Sequence, residues 1–335
     1  MTTPEATPDL ASDLDGGPLK GAAPNIARSL GWSILFIMFV YLANNFLTFW
    51  GGLPGASISG NAMAMAQAAL YPVAALGAIL MVLRSTDVTL RQDSLRIANM
   101  NTFFIRACFF IVLYIGIVDV VISFLRVEDM LSDIVGEEMN KNIGRSHFRG
   151  TYIHFPLIIL GVITATRSRV LGVEWLALMV VVAELLIVFL RFIFSYEQAF
   201  MADLVRFWYG ALFLFASAYT LSEEGHVRVD IFYAGFRNKT KGMVNAFGSL
   251  FMGITLCWTI LIVGMGSKSS IINSPLLNFE TTQSGFGLYV KYLMAGFLGV
   301  FAISMMIQFV SYLIAAVADA RGDPGHVNPE GAGAI

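Results

Sequence analysis

The sequence contains few charged residues: Asp, Glu, Lys and Arg make up 13% of its 335 residues. A soluble domain usually carries about 25%. The charges lie in short segments between long apolar runs, and a run of about 20 apolar residues can cross a bilayer as a helix. The formal net charge is −2, and no basic patch indicates nucleic-acid binding. This composition predicts an integral membrane protein that binds lipid and no nucleic acid.

Residues that commonly form catalytic or metal sites are also scarce. The two cysteines, Cys108 and Cys257, lie in different apolar runs, and one pair cannot make a zinc or iron–sulfur site. Among the four histidines only His154 falls within an apolar run. The sequence has no phosphate-binding glycine loop, no HExxH and no GxSxG. We therefore predict a non-catalytic protein with no cofactor and no metal site.

The apolar segments are continuous, which predicts helices, because a membrane-spanning barrel would show alternating hydrophobicity. We predict an all-α integral membrane protein with about eight transmembrane helices, preceded by a disordered tail at 1–25 and followed by a tail at 319–335. The predicted spans are Leu30–Trp50, Ala62–Leu83, Phe103–Leu125, Tyr152–Thr166, Val173–Phe194, Leu204–Leu221, Met243–Met265 and Phe286–Val317.

The distribution of Lys and Arg predicts the orientation. With the N-terminus inside, thirteen of these residues fall in inner segments and six in outer segments, so both termini are predicted to be cytoplasmic. Segments 127–149 and 267–285 then lie outside. The first of these has apolar residues at helical spacing, from Val127 to Val135. It is predicted to be a surface helix, and docking of a soluble partner is the alternative.

Several charges lie within predicted spans, where an ionised side chain is costly and usually faces protein or water. Asp119 lies in the third span, and Glu184 and Arg191 lie seven residues apart in the fifth. We predict that Asp119 and Glu184 are buried, and that Arg191 pairs with Glu184 or with Asp203, which precedes the sixth span. Stabilisation of helix packing is the favoured role, and a proton or ion relay is the alternative.

A polar motif follows the sixth span, at Gly225, His226, Arg228 and Asp230, with valines between the polar residues. This pattern is typical of a loop that leaves the membrane, and Asp230 could cap a following helix. The next residues, 231–241, combine aromatic and basic side chains and predict a short interfacial helix. These features alone do not identify a function.

Together with its context, this motif resembles the small permease (Q-type, DctQ-like) subunits of tripartite ATP-independent periplasmic (TRAP) transporters. The resemblance covers about residues 172–318. It rests on Arg191, Asp203, the sequence Arg206-Phe207-Trp208, and the block from Gly225 to Tyr233. This block is most similar to the mannitol/chloroaromatic branch. The residues that the resemblance assigns to partner binding or structure are Arg191, Asp203, Arg206, Gly225, His226, Arg228 and Asp230.

The resemblance implies a scaffold subunit in the bacterial inner membrane. Such a subunit holds the large permease, which carries out sodium-driven uptake of an organic acid or similar solute delivered by a periplasmic binding protein. The implied organisation is a four-helix small-permease-like domain at 171–318, after an N-terminal membrane region at 26–170 that has no family assignment. An accessory subunit of a different membrane complex remains an alternative, as does an enzyme or independent carrier.

Overall fold

The computed structural model describes residues 22–169, 172–197, 199–222, 232–281 and 287–325. These residues form helices and connecting loops. Eight of the helices are long and apolar enough to cross a membrane. The helices are α1 (Ala22–Phe49), α2 (Ala62–Arg84), α3 (Leu90–Val127), α4 (Leu131–Val135), α5 (Glu137–Ile143), α6 (Ser146–Arg167), α7 (Val173–Phe194), α8 (Ala199–Ser222), α9 (Asn238–Met265), α10 (Asn273–Asn278) and α11 (Lys291–Arg321).

Helix α3 is the longest, with 38 residues. At 1.5 Å per residue it is about 57 Å long, well beyond the roughly 30 Å hydrocarbon core of a bilayer. It begins in a capping box: the Thr89 side chain accepts a hydrogen bond from the Gln92 backbone N–H, and the Gln92 side chain accepts one from the Thr89 backbone. This reciprocal cap satisfies two backbone donors at the helix start. The first turns of α3 can therefore extend beyond the membrane core.

Two large hydrophobic clusters form most of the core of the described residues, and α3 and α11 contribute to both. The first cluster joins α3, α7, α8 and the start of α11 through buried residues that include Ile105, Phe109, Leu176, Phe207, Phe215 and Phe297. The second joins α1, α3, α9 and α11 through Leu35, Ile97, Leu261, Met306, Val310 and Ile314. Helices on both sides of the predicted boundary at 170/171 thus share each cluster.

Two glycines of this bundle lie where neighbouring groups approach closely. A Cβ atom on Gly116 of α3 would lie 2.2 Å from Nε1 of Trp208 in α8, and this nitrogen donates a hydrogen bond of 3.2 Å to the carbonyl of Val112. A Cβ atom on Gly161 of α6 would lie 2.8 Å from the backbone nitrogen of Ile111. Small residues at such contacts allow membrane helices to pack tightly.

The prediction of an all-α fold with eight spans is confirmed, while the orientation of the termini remains a prediction. The fifth predicted span coincides with α7 at Val173–Phe194. Two local predictions were wrong. Segment 127–149 is divided among the end of α3, the short helices α4 and α5, and the start of α6, with Gly136 between α4 and α5 at φ +83°. No separate interfacial helix forms within 232–241, because its last residues already belong to α9.

Candidate functional site

A buried polar cluster lies at the end of the bundle where α3 ends and α6 and α11 begin. At its centre is Asp119 of α3, which has no exposed surface. Its Oδ1 atom lies 3.0 Å from Nη1 of Arg149 and 3.1 Å from Nε2 of His154. Its Oδ2 atom accepts a hydrogen bond of 2.8 Å from the backbone N–H of Tyr289. We call these residues, together with Tyr292, the Asp119 cluster.

Arg149, the cation of this cluster, is also fully buried. Its guanidinium carbon lies 4.0 Å from the centre of the Tyr289 ring, and its Nε donates to the carbonyl of Ile143 at 3.2 Å. A buried ion pair of this kind is tolerable only when additional hydrogen bonds compensate for lost hydration. The contacts to Tyr289 and Ile143 provide part of that compensation.

His154 extends the cluster to α11. Its Nδ1 lies 2.7 Å from the hydroxyl oxygen of Tyr292, and its Nε2 faces Asp119. In a neutral ring with its proton on Nε2, Nε2 donates to the Asp119 carboxylate and Nδ1 accepts from the Tyr292 hydroxyl. This arrangement uses both ring nitrogens. It joins the N-terminal region of the chain, which supplies His154, to the C-terminal region, which supplies Tyr292.

A second carboxylate binds the backbone just before α11, next to Tyr289. Oδ2 of Asp203, on α8, accepts a hydrogen bond of 3.2 Å from the backbone N–H of Leu288. Asp119 and Asp203 therefore hold two successive backbone amides, those of Leu288 and Tyr289, just before α11 begins. We call this arrangement the two-carboxylate clamp. Leu288 and Val290 are buried beside it, so the clamp fixes where α11 enters the bundle.

A separate ion pair lies at the opposite end of α3. Nε of Arg28, on α1, lies 2.6 Å from Oδ2 of Asp93, with both side chains 2% exposed. The guanidinium also donates to the carbonyl and the hydroxyl of Ser85, and Nε1 of Trp32 donates to Asp93 at 3.2 Å. This pair ties α1 to the α2–α3 connection. Both ends of α3 are thus anchored by buried charges.

The site residues predicted from sequence are distributed differently from expectation. Asp119 is buried, whereas Glu184 is exposed on α7, so the prediction of a buried Glu184 is wrong for this chain. The predicted partners of Arg191 are also wrong, because its Nε lies 4.0 Å from Glu197 and both side chains are largely exposed. The sequence spacing predicted that Arg191 lies near Glu184. In the structure α7 ends at Phe194 and the chain turns there, so that Glu197 lies near Arg191 instead.

Asp203 and Arg206 lie together on the first turns of α8. Nη1 of Arg206 lies 3.7 Å from Oδ1 of Asp203, and the arginine side chain is 72% exposed while the aspartate is nearly buried. Asp203 therefore has a structural contact in the clamp, and Arg206 points outward. The motif residues Gly225, His226, Arg228 and Asp230 lie outside the described residues.

Sequence reasoning missed most of the Asp119 cluster. Arg149 was counted as a charge of an outer loop, although it lies in α6 with no exposed surface. The available signal was its position, five residues before His154 at the start of an apolar run. Among the residues that the structure describes, no group of three or more His, Cys, Asp or Glu side chains could hold a metal ion.

Comparison with protein families identifies the C-terminal region. Residues 177–319 match the family described as tripartite ATP-independent periplasmic transporters, DctQ component. The C-terminal region is similar to DctQ components, and we call residues 177–319 the DctQ segment. The match confirms the resemblance predicted from sequence, while the mannitol/chloroaromatic branch remains a prediction. Comparisons with curated proteins and with solved structures give no match.

The DctQ segment contains α8, α9 and α10, with nearly all of α7 and α11, and therefore four of the eight candidate spans. The description of this family names a component of TRAP transporters, and thus a transport family. Helices α1–α6 precede the segment. The Asp119 cluster combines residues of both parts, because Asp119, Arg149 and His154 come from α3 and α6, and Tyr289 and Tyr292 come from the DctQ segment.

Proposed function

We propose that the chain is the small-permease subunit of a TRAP transporter in the bacterial inner membrane. In this role it is a scaffold that holds the large permease, which takes up an organic acid or similar solute with sodium after delivery by a periplasmic binding protein. The observation that carries the proposal is the DctQ match over residues 177–319, which includes four candidate spans.

The buried charges support a scaffold role. Arg28 is paired with Asp93, and Arg149 with Asp119, at distances of 2.6 and 3.0 Å. Each pair joins different helices, and each has further hydrogen bonds to neighbouring groups. Buried, hydrogen-bonded pairs stabilise one arrangement of helices, because removing either partner leaves an uncompensated charge. Such pairs suit a subunit that stays rigid while its partner moves.

Helix α7 provides the best candidate surface for the large permease. Most of its length is exposed, with apolar side chains such as Val181, Leu185 and Val188 facing outward. Glu184 lies among them, at mid-span. A carboxylate facing lipid at this depth is costly, whereas a polar or basic group of another subunit can compensate for it. We propose that the large permease covers this face.

Helices α1–α6 have a supporting role in this proposal. They supply Asp119, Arg149 and His154, which contact the segment just before α11 and its first turn. We propose that this N-terminal region braces the DctQ segment from within the same chain. The motif Gly225, His226, Arg228 and Asp230 is proposed to hold the inner exit of α8 against the large permease.

The test is extraction of the tagged full chain in a mild detergent, followed by identification of the co-purifying subunits. Recovery of a large permease in stoichiometric amounts supports the proposal. Reconstituted transport should then require the binding protein and an inward sodium gradient. Recovery of subunits of an unrelated membrane complex would instead identify the chain as an accessory subunit of that complex.

A further inference from the structure

A groove opens at the end of the bundle where α1 and α3 begin and α2 ends. Its volume is about 760 Å³, and its lining includes Arg28, Arg96, Asn99, Met81, Met100 and Phe103. Met81, Met100 and Phe103 are 37%, 53% and 38% exposed. The groove therefore faces outward, toward the surroundings of the bundle.

The groove is polar at one end and apolar at the other. On α3, Asn99, Met100 and Phe103 lie three, four and seven residues after Arg96, which places all four on one helix face. The α3 apolar run begins at Phe103, whereas the preceding turns extend beyond the hydrocarbon core because of the length of the helix. The basic end thus lies at headgroup depth and the apolar end at acyl-chain depth.

The polar end carries an uncompensated positive charge. Asp93 is bound directly by Arg28 at 2.6 Å, and these two charges neutralise each other. Arg96 approaches the same carboxylate only at 3.6 Å, and its side chain is 59% exposed. Arg84, in the last turn of α2, adds a second exposed cation at this end. Arg96 shares Asp93 with Arg28, and its largely exposed guanidinium can also bind an anion that enters the groove.

From this arrangement we infer that the groove binds one anionic phospholipid. Its phosphate contacts Arg96 and Asn99, and one acyl chain lies along Met81, Met100 and Phe103. Basic pockets between membrane helices recognise anionic headgroups in this way. The site is independent of the proposed transport function, because it uses α1, α2 and α3 and none of the DctQ segment.

The test is native mass spectrometry of the purified full chain, titrated with phosphatidylglycerol and with phosphatidylethanolamine of the same acyl composition. One phosphatidylglycerol should bind more tightly than phosphatidylethanolamine. Arg96→Gln should weaken phosphatidylglycerol binding roughly fivefold, the factor equivalent to about 1 kcal/mol for one arginine near a membrane surface. Arg167→Gln, which removes an exposed arginine at the end of α6, should leave binding unchanged.

Two further measurements distinguish a phospholipid from free inorganic phosphate as the ligand. A phosphatidylglycerol with short acyl chains should bind more weakly than the long-chain lipid, and excess inorganic phosphate should not displace the long-chain lipid. Displacement by inorganic phosphate would overturn the lipid assignment in favour of a free-anion site. Equal binding of the two headgroups, or unchanged binding in an Arg96→Gln variant with wild-type thermal stability, would overturn the proposal entirely.

Discussion

The backbone N–H of Tyr289 donates a 2.8 Å hydrogen bond to Oδ2 of Asp119, which lies 170 residues earlier in the chain. The contact joins α3, outside the DctQ match, to the entry of α11, inside it. The other oxygen of the same carboxylate is bound by Arg149 and His154. One buried side chain therefore links the N-terminal helices to the DctQ segment.

Replacing Asp119 should strongly destabilise the protein. Asp119→Leu leaves Arg149 buried without its counter-charge, and we expect a loss of about 3–5 kcal/mol in the free energy of unfolding. Thermal or denaturant unfolding in detergent measures this. Glu137→Gln removes a carboxylate that is 85% exposed and 4.0 Å from Lys141, and it should change stability by less than about 1 kcal/mol. Similar losses in both variants would contradict a structural role for the Asp119 cluster.

The Arg28–Asp93 pair should show coupling between its two members. Arg28→Met alone leaves the buried Asp93 with only the more distant and exposed Arg96, at 3.6 Å, as a counter-charge, and should cost about 3–5 kcal/mol in stability. The double variant Arg28→Met/Asp93→Leu removes both charges and should recover part of that loss, since apolar residues can replace a buried pair. A double-mutant cycle measures the coupling. Strictly additive losses would show that the two side chains act independently.

Gly116 should not tolerate a methyl group. Gly116→Ala places a Cβ atom 2.2 Å from Nε1 of Trp208, which must move and lose its hydrogen bond to Val112. We expect destabilisation of about 1–3 kcal/mol, as for other overpacked sites. Gly77→Ala is the matched control in α2, where no heavy atom lies within 4 Å of the added Cβ. It should be neutral or stabilising by up to about 1 kcal/mol.

Glu184 should matter for assembly but not for the fold of the isolated subunit. Because its side chain is exposed, Glu184→Gln should leave the thermal stability of the purified chain unchanged. If the large permease covers α7, the same variant should reduce the amount of permease that co-purifies. Glu174→Gln, at the exposed first turn of α7, provides the control. Normal co-purification in the Glu184 variant would exclude this face as the interface.

Arg228 and Asp230 should anchor the inner exit of α8. An anchoring pair loses several kcal/mol when one partner is removed, whereas a solvated turn loses only about 0–1 kcal/mol. Arg228→Ala and Asp230→Ala should therefore reduce both solute uptake and recovery of the large permease. The binding protein should keep its affinity for solute. Normal uptake and recovery in both variants would leave the solvated turn as the correct interpretation.

The first and last residues of a span were predictable where the hydropathy of the sequence alone determines them. Helix α7 has the predicted bounds because Gly172 precedes its apolar run and Ser195, with φ +51°, ends it. The start of α3 was missed because Arg91, Asp93 and Arg96 interrupt the hydropathy pattern. The helix continues through them because Arg91 pairs with Asp319 at 2.6 Å and Asp93 pairs with Arg28. Such distant partners leave no local signal in the sequence.

The candidate site was less predictable for the same reason. A charge within a span indicates that some partner exists, and this principle correctly singled out Asp119. It does not identify the partner, which here comes from α6 and from the segment before α11. The same principle failed at Glu184, whose side chain is exposed at mid-span; the interface with the large permease that we propose would account for a charge at this position.

Helix α11 is synthesised after the other seven candidate spans of the described residues, yet it contributes to both hydrophobic clusters and packs along α3. The growing chain inserts the earlier spans first, and none of them can fill the place of α11. Until α11 enters the bilayer, Asp119 lacks its contact with Tyr289 and both clusters remain open on one side. A chain that stops before residue 291 should therefore present an incomplete bundle to membrane proteases.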